Sequence, residues 1–242
     1  MNLGEHRQAL LDDLSKTSTD TFHTTAILNR YINRAIQWVG NSKNWQQTQK
    51  AEKQTITLAG DETDEYWNYP ENFKSDSIYR VALGDSIATE EHYQLLIWED
   101  YLNRKEDTPD QSVKVASDHR RQIFIYPIPT TDGQILSVWG HEMPDTLVND
   151  ADEHPFTGEQ LLEEAINRYA MGLALRKMRG TYRAEGDKMM AEASALLDMA
   201  WKEQRQRQAS RKVLHAEQWE HTDFLNAGGG MPTRRGSFNL DN

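Results

Sequence analysis

Apolar residues keep helical spacing toward both ends of this chain and alternate with polar ones in between. The strongest pattern lies in residues 155–212, where Leu162, Ala165, Ile166, Tyr169, Ala170, Leu173, Ala174 and Met178 recur every three or four positions, the period of a helix with one buried stripe. Thr157 followed by Gln160 predicts a capping box at its start, and Glu159, Glu163 and Glu164 lie where the helix dipole favours negative charge. Ile166 belongs to the buried stripe, whereas Glu163 is expected at the surface, where its loss would cost little. Gly180-Thr181 interrupts the stripe, and Met189, Ala193, Leu196, Leu197, Ala200 and Trp201 start a second, so the segment reads as a helical hairpin. Its core ends near Trp201. Beyond that, Lys202, Arg205, Arg207, Arg211 and Lys212 set five positive charges against Glu203 with no comparable apolar stripe, so this end is solvated or meets something acidic.

Upstream, a short helix is expected over Gly4 to Leu14 with Ala9, Leu10 and Leu14 on its apolar side. A longer one follows from Phe22 to Val39, carrying Ala26, Ile27, Tyr31, Ile32, Ala35, Ile36 and Val39, with Gly40-Asn41 as its stop. These stripes need partners, so the N-terminal helix should pack against the C-terminal hairpin. The middle of the chain reads as sheet. Gln54 to Leu58 alternates, Tyr66 to Pro70 is extended, Ser77 to Leu83 continues the sheet, and Arg121 to Tyr126 with Gln134 to Trp139 is expected as a hairpin across Pro127–Gly133. Between them, His92 to Leu102 is expected as a helix and Asn103 to Gln111 as a surface loop. From Val213 onward, isolated aromatics, Gly228-Gly229-Gly230 and Arg234-Arg235 cannot build a core, and the segment reads as an arm.

Composition narrows the function classes. The net charge of -11 over 242 residues argues against a general nucleic-acid coat, because phosphate neutralisation needs a basic surface. The N-terminus lacks a signal-peptide pattern and no apolar run is long enough to span a membrane, so cytosolic synthesis and assembly are expected. With no cysteine, disulfides, thiolate nucleophiles and cysteine metal sites are excluded. The eight histidines show no H-E-x-x-H spacing; His119, His141 and His154 are read as exposed or capping residues. There is no G-x-S-x-G elbow and no phosphate-cradling loop, and the glycine run reads as a hinge. The acidic clusters at 61–65 and 150–153 lack the D-x-D-x-D-G pattern and read as solvated turns. No catalytic, cofactor or metal residue is therefore assigned. Trp219, Phe224, Leu225 and Phe238, with Gly229 at the bend and Arg234 and Arg235 nearby, read instead as partner-binding residues, since aromatics beside arginine are typical interface anchors. Arg205, Arg207, Arg211 and Lys212 are a second candidate contact, for an acidic partner.

The order of these pieces resembles the head-to-tail adaptor, or connector, proteins of tailed bacteriophages. The resemblance rests on Ala26-Ile27-Leu28-Asn29-Arg30-Tyr31-Ile32-Asn33-Arg34-Ala35 followed by Trp45, and on the Gln54 to Leu58 strand. It also rests on Tyr66 to Phe73, similar to a Tyr-x-x-Pro-x-x-Phe element, on Ile123 to Pro129 ending in Pro-x-Pro, and on an acidic linker into a helical hairpin. The segment Gly84 to Asp118 and the arm after Val213 depart from the pattern. The resemblance implies an α+β fold with a helical bundle from residues 1–45 and 155–212, an inserted β-rich domain at 46–154, and an extended C-terminal arm at 213–242. It implies a structural virion protein without enzymatic turnover, forming a homo-oligomeric, commonly dodecameric, ring beneath the portal at the head-tail junction, assembled in the host cytoplasm. The arm residues named above would meet the portal protein, a tail or nozzle protein would follow below, and double-stranded DNA would pass during ejection without sequence-specific binding. Two other classes fit less of the sequence: a metal-dependent enzyme or packaging factor acting on DNA, and a soluble regulatory binding module with a disordered tail.

Overall fold

A computed structural model describes residues 1–15, 23–56, 66–84, 91–107, 113–129, 133–178 and 182–226, with only the helical backbone for 210–226. The chain is mixed α+β and divides into two units, Met1–Ala200 and Trp201–Asn242.

Helix α1, Leu3–Asp13, opens on a capping box: Asn2 accepts from the Glu5 N–H at 2.9 Å and Glu5 accepts from the Asn2 N–H at 2.9 Å. Its buried side is Leu3, His6, Leu10 and Leu11, so the expected Ala9 stripe is rotated slightly. Helix α2, Thr25–Ser42, buries Leu28, Tyr31, Ile32, Ala35, Ile36 and Val39, while Ala26 stays exposed. Gly40 does not stop it. A Cβ there would lie 2.5 Å from Pro144 Cδ, so this glycine permits close packing within the helix. The end comes at Lys43, where the Trp45 indole donates to the Val39 carbonyl at 2.7 Å and so satisfies one of the last helical acceptors. Asn33 clamps the passing chain, donating to the Leu147 carbonyl at 2.9 Å and accepting from its N–H at 2.8 Å.

Helix α3, Trp98–Asp107, belongs to the middle of the chain; α4, Gln160–Lys177, packs on α2 and α1, with Trp38 stacked on Tyr169 at 4.2 Å. The expected capping box is absent. Gly158, at φ +88°, turns the chain between Thr157 and the helix, and Thr157 donates instead to the His154 carbonyl at 2.9 Å. Glu163 takes over at this end, accepting from the Gly158 N–H at 3.2 Å and pairing with the Met1 ammonium. It is half-buried, so the expectation that its loss is cheap is corrected.

Helix α5 is Tyr182–Asn226, and its first turns, within the Met1–Ala200 unit, lie against α4 as the hairpin pattern requires. The two touch backbone to backbone: a Cβ on Gly172 would lie 2.8 Å from the Gly186 carbonyl, and one on Gly186 would lie 2.7 Å from the Gly172 carbonyl. Arg176–Asp187 at 3.1 Å and Arg168–Glu192 at 3.5 Å flank the crossing. Alanine is the better helix former by about 1 kcal/mol, but overpacking costs about 1–3 kcal/mol and carbonyl groups cannot yield as a flexible side chain does. Gly186→Ala is therefore expected to destabilise the protein by about 1–2 kcal/mol in urea unfolding. A gain in stability would show that the helices separate freely. The helix also continues past Lys212, where the pattern placed its end. Residues 213–226 contain no glycine or proline and are rich in helix-compatible residues, so nothing local breaks it.

The strands are β1 Gln49–Thr55, β2 Tyr66–Asn68, β3 Arg80–Gly84, β4 Glu91–Leu95, β5 Val115–His119, β6 Gln122–Tyr126 and β7 Ile135–His141, with α3, Trp98–Asp107, between β4 and β5. They form one curled sheet in the order β1-β7-β3-β4-β5-β6-β2, antiparallel except for β4 beside β5. The ends of that order approach each other, since Gln54 on β1 donates to the Asn68 carbonyl on β2 at 2.9 Å. Ile56, Tyr69, Phe73, Val81, Leu83, Tyr93, Ala116, Ile123, Ile125, Leu136 and Val138 fill the concave side.

Four sequence expectations change here. The expected helix His92 to Leu102 is split, because Tyr93 pairs opposite Val81 and enters the sheet core, and helix starts only at Trp98. Asn103 to Asp107, expected as loop, belongs to that helix. The expected β6–β7 hairpin does not form. Both edges of β7 are taken by β1 and β3, and those of β6 by β5 and β2. The tight hairpin is β5–β6, with His119 opposite Gln122 and Arg120 and Arg121 both at positive φ, 51° and 60°. Finally, β1 lies earlier than Gln54 to Leu58; Ile56 still reaches the core, and residues 57 and 58 fall outside the described residues.

Candidate partner-binding surface

The candidate contact residues lie on α5 and after it. Arg205 and Arg207 are exposed, and Arg207 pairs with Glu203 one turn back at 3.4 Å, an interaction worth only a few tenths of a kcal/mol. Arg211, Lys212, Trp219, Phe224 and Leu225 occupy positions on the same helix, where Arg205, Lys212 and Trp219 follow in seven-residue steps and so share one side. Gly229, Arg234, Arg235 and Phe238 lie outside the described residues. The structure therefore joins part of the candidate set on one element and leaves the rest unplaced.

The buried polar groups are structural. His6, His23, His141 and His154 are all buried, so of the exposed or capping reading the exposed part is corrected for His141 and His154, while His154 does cap the turn before α4 through the Phe156 N–H. His154 Nδ1 accepts from the Phe156 N–H at 3.1 Å, its Nε2 meets His6 Nε2 at 2.8 Å, and His6 Nδ1 meets Asn167 Oδ1 at 2.6 Å. One consistent proton pattern serves this chain: His154 donates to His6, and His6 donates to Asn167, so both rings are neutral. Burial pushes the His6 pKa down, and it pushes His154 down to about 3, with His6 and the N-terminal ammonium adding to the effect. At the other junction, Lys74 is buried and donates to the Lys43 carbonyl at 2.7 Å; burial holds its pKa down at about 8. Ser77 donates to the Lys74 and His141 carbonyls at 2.7 and 3.1 Å, and Tyr69 donates to the Lys74 carbonyl. These groups tie the 69–77 loop and the end of α2 to β7.

Among the described residues, no three His, Asp or Glu side chains converge as a metal site, and no helix is long and apolar enough to cross a membrane.

Two surface clusters were not singled out from sequence. On α3, Trp98 stacks on His119 at 4.5 Å and contacts Phe124 at 4.6 Å, and Tyr101 is buried beside it. This leaves Ile97 and Leu102 exposed, at 67% and 38%, next to Glu99, Asp100 and Glu106. On the outer face of β7 and β3, the Arg80 guanidinium lies 4.2 Å over the Trp139 ring and 3.1 Å from His92 Nε2, with exposed Tyr79 and Lys53 near by. The signal for the first was Trp98 and Tyr101 at helical spacing. The second depended on strand pairing, which the sequence does not display.

No curated protein matches the chain. A family model described as SU10 adaptor protein matches residues 1–217, spanning both the helices and the sheet, in agreement with the resemblance read from the helix, strand and proline motifs. The chain therefore belongs to the SU10 adaptor family of phage head-to-tail adaptors, as a structural phage protein.

Proposed function

We propose that the protein is a ring subunit of the head-to-tail junction, commonly twelve copies, seated beneath the portal and above a tail or nozzle protein. DNA passes through the ring without sequence-specific contact, and no turnover is involved. The observation that carries this reading is the family match across residues 1–217. In this reading residues 1–45 with 155–212 are the helical part, 46–154 the β-rich insert, and 213–242 the arm that engages the portal. The net charge of -11 suits a DNA channel, because an acidic lining repels phosphate and keeps DNA from sticking during passage.

The arm binds by anchoring Trp219, Phe224, Leu225 and Phe238 in apolar recesses of a portal subunit, with Gly229 at the bend and Arg234 and Arg235 on its carboxylates or carbonyls. Arg205, Arg207, Arg211 and Lys212 steer the approach to an acidic neighbour more than they add affinity. Ordering a free segment costs roughly 1–2 kcal/mol per residue, a cost that the helical 213–226 meets in part before any partner is bound. Deleting residues 213–242 is expected to leave the rest of the chain folded, with an unchanged unfolding midpoint, and to abolish attachment to portal-bearing heads in a co-sedimentation assay. Attachment at the level of the full chain would refute the assignment of the arm.

A further inference from the structure

We propose that α1 is held by an acid-sensitive seam: the buried His6–His154 pair and the contacts around it release α1 from residues 150–167 as the pH falls, while the sheet and the α2–α4 packing stay in place.

The fastenings of α1 gather on one strip of chain, the acidic turn and the first two turns of α4. The Leu3 N–H donates to the Asp152 carbonyl at 3.0 Å, and the Gly4 N–H donates to the Asp150 carbonyl at 3.0 Å. Arg7 grips the Asp150 carboxylate with two bonds, at 2.8 and 2.6 Å, and the Met1 ammonium pairs with Glu163. His6 reaches His154 and Asn167. Toward α2 the helix turns its apolar side, with Arg7 donating to Asn29 at 3.2 Å. Its β contact is the isolated bridge of Asn2 with Glu153, outside the sheet. Helix α2 meets α4 directly, through Trp38 on Tyr169 among other contacts. A local opening can therefore lift α1 and leave these larger contacts made. A helix of 11 residues is marginal alone, so a released α1 also loses its helical hydrogen bonds.

The pair at the centre of the seam has no place for a further proton. His154 Nδ1 accepts from the Phe156 N–H, so the His154 proton sits on Nε2 and points at His6, which accepts there and donates from Nδ1 to Asn167. A proton added to His154 would face the Phe156 N–H. One added to His6 would face the His154 N–H across 2.8 Å. Reversing the central bond does not help, because His154 would have to move its own proton to Nδ1, against Phe156 again. Both rings are buried, so water does not take over a displaced bond. In the open form both rings reach water and titrate near 6.5. Acid therefore favours the open form from about pH 6.5 downward.

The surrounding charges do not reverse this. Glu5 on α1 and Glu163 on α4 favour a charged ring, the Met1 ammonium opposes it, and on the side of the turn before α4 His154 meets the Phe156 ring. Burial outweighs each of these at both rings. The carboxylates of the same seam add a second stage. Asp150 is held low by Arg7, and Asp152 by the Asn149 and Val148 N–H groups, so both fail only as the pH nears 4.

Hydrogen exchange of the full-length protein, read by mass spectrometry and corrected for intrinsic rates, tests the seam. Peptides from α1 are expected to open more readily than those from β7 at both pH 6 and pH 5. Between those values the opening constant of α1 should rise by up to about 100-fold, about ten-fold for each histidine. His6→Gln keeps a donor and an acceptor in this place but cannot titrate, and should cut the rise to about ten-fold. Asp150→Asn should loosen α1 at both pH values and leave the rise unchanged, since Asp150 is ionised throughout. The unaltered protein gives a reading that needs no variant: the imidazole carbon shifts of His6 and His154 should report neutral rings at pH 5.5. A single opening constant shared by α1 and β7, a rise that His6→Gln leaves intact, or a His6 ring titrating near 6.5 in the folded chain would each overturn the seam.

Discussion

Replacing Ile166 by aspartate is expected to unfold most of the protein. Ile166 is fully buried on α4, the helix that packs against α2 and α1. The substitution removes an isoleucine's transfer free energy, about 1.5–3 kcal/mol, and adds the cost of burying a charge or of protonating it, several kcal/mol more. Domains of this size are stable by only about 5–15 kcal/mol, so the sum approaches the whole. Far-ultraviolet circular dichroism in urea should show a midpoint moved to very low denaturant or no cooperative transition. Arg183→Ala, exposed on the first turn of α5, should stay within about 0.5 kcal/mol of the parent. A parent-like midpoint for Ile166→Asp would mean that the packing of α4 on α2 is not the core of the helical part.

The helices of this fold were legible and the sheet was only partly so, for a physical reason in each case. A helix is a local object: the spacing of Leu28, Tyr31, Ile32, Ala35 and Ile36 already says which side is buried. What that spacing does not say is what the side meets, and so Gly40 looked like a stop when it is a seat for Pro144, and Gly172 and Gly186 gave no sign of the backbone contact they allow. Strand pairing is non-local. The tight turn between β5 and β6 is made by Arg120-Arg121, not by the Asn-Gly or Asp-Gly that marks such turns in sequence, so turn chemistry alone points to β6 and β7 as the hairpin. Tyr93 had helical neighbours but two strands waiting for it. On the candidate surface, the basic positions 205 and 207 were legible as exposed because no apolar stripe accompanies them. The Arg80–Trp139 platform was not, since its members are far apart in sequence and meet only through the register of β3 with β7.

The buried histidines make a second large effect, on stability against pH. In the folded chain His154 stays neutral down to about 3, and His6 and His141 are also held below their ordinary value by burial. In the unfolded chain each titrates near 6.5. Below that value the unfolded state binds protons that the folded state refuses, so stability is complete above about 6.5 and is lost as the pH falls, with a slope approaching about 1.4 kcal/mol per pH unit for each such histidine. The groups facing the His6–His154 pair are Glu5, Glu163 and the N-terminal ammonium. The two carboxylates favour the charged ring and the ammonium opposes it, but burial is the largest cause for both histidines. Carboxylates held low in the fold, Asp150 by Arg7, Asp152 by the Asn149 and Val148 N–H groups, and Glu163 by its own partners, contribute their share of acid loss only nearer pH 4. Lys74 acts in another window, between about 8 and its unfolded value, where stability rises with pH. In the interval from pH 6 to 4.5 the loss comes from the histidines, against the smaller opposite contribution of Asp118, whose carboxyl group is held above its ordinary value by burial. His154→Phe keeps an aromatic ring but removes the titrating group; it also leaves the Phe156 N–H without its acceptor, a cost of about 1–3 kcal/mol at every pH. Urea unfolding across that interval should give a lower stability for the variant at pH 7 and a shallower fall with acid, by up to about 1.4 kcal/mol per unit. Parallel lines for the two proteins would show that His154 is protonated alike in the folded and unfolded chain, and the neutral histidine chain would be wrong.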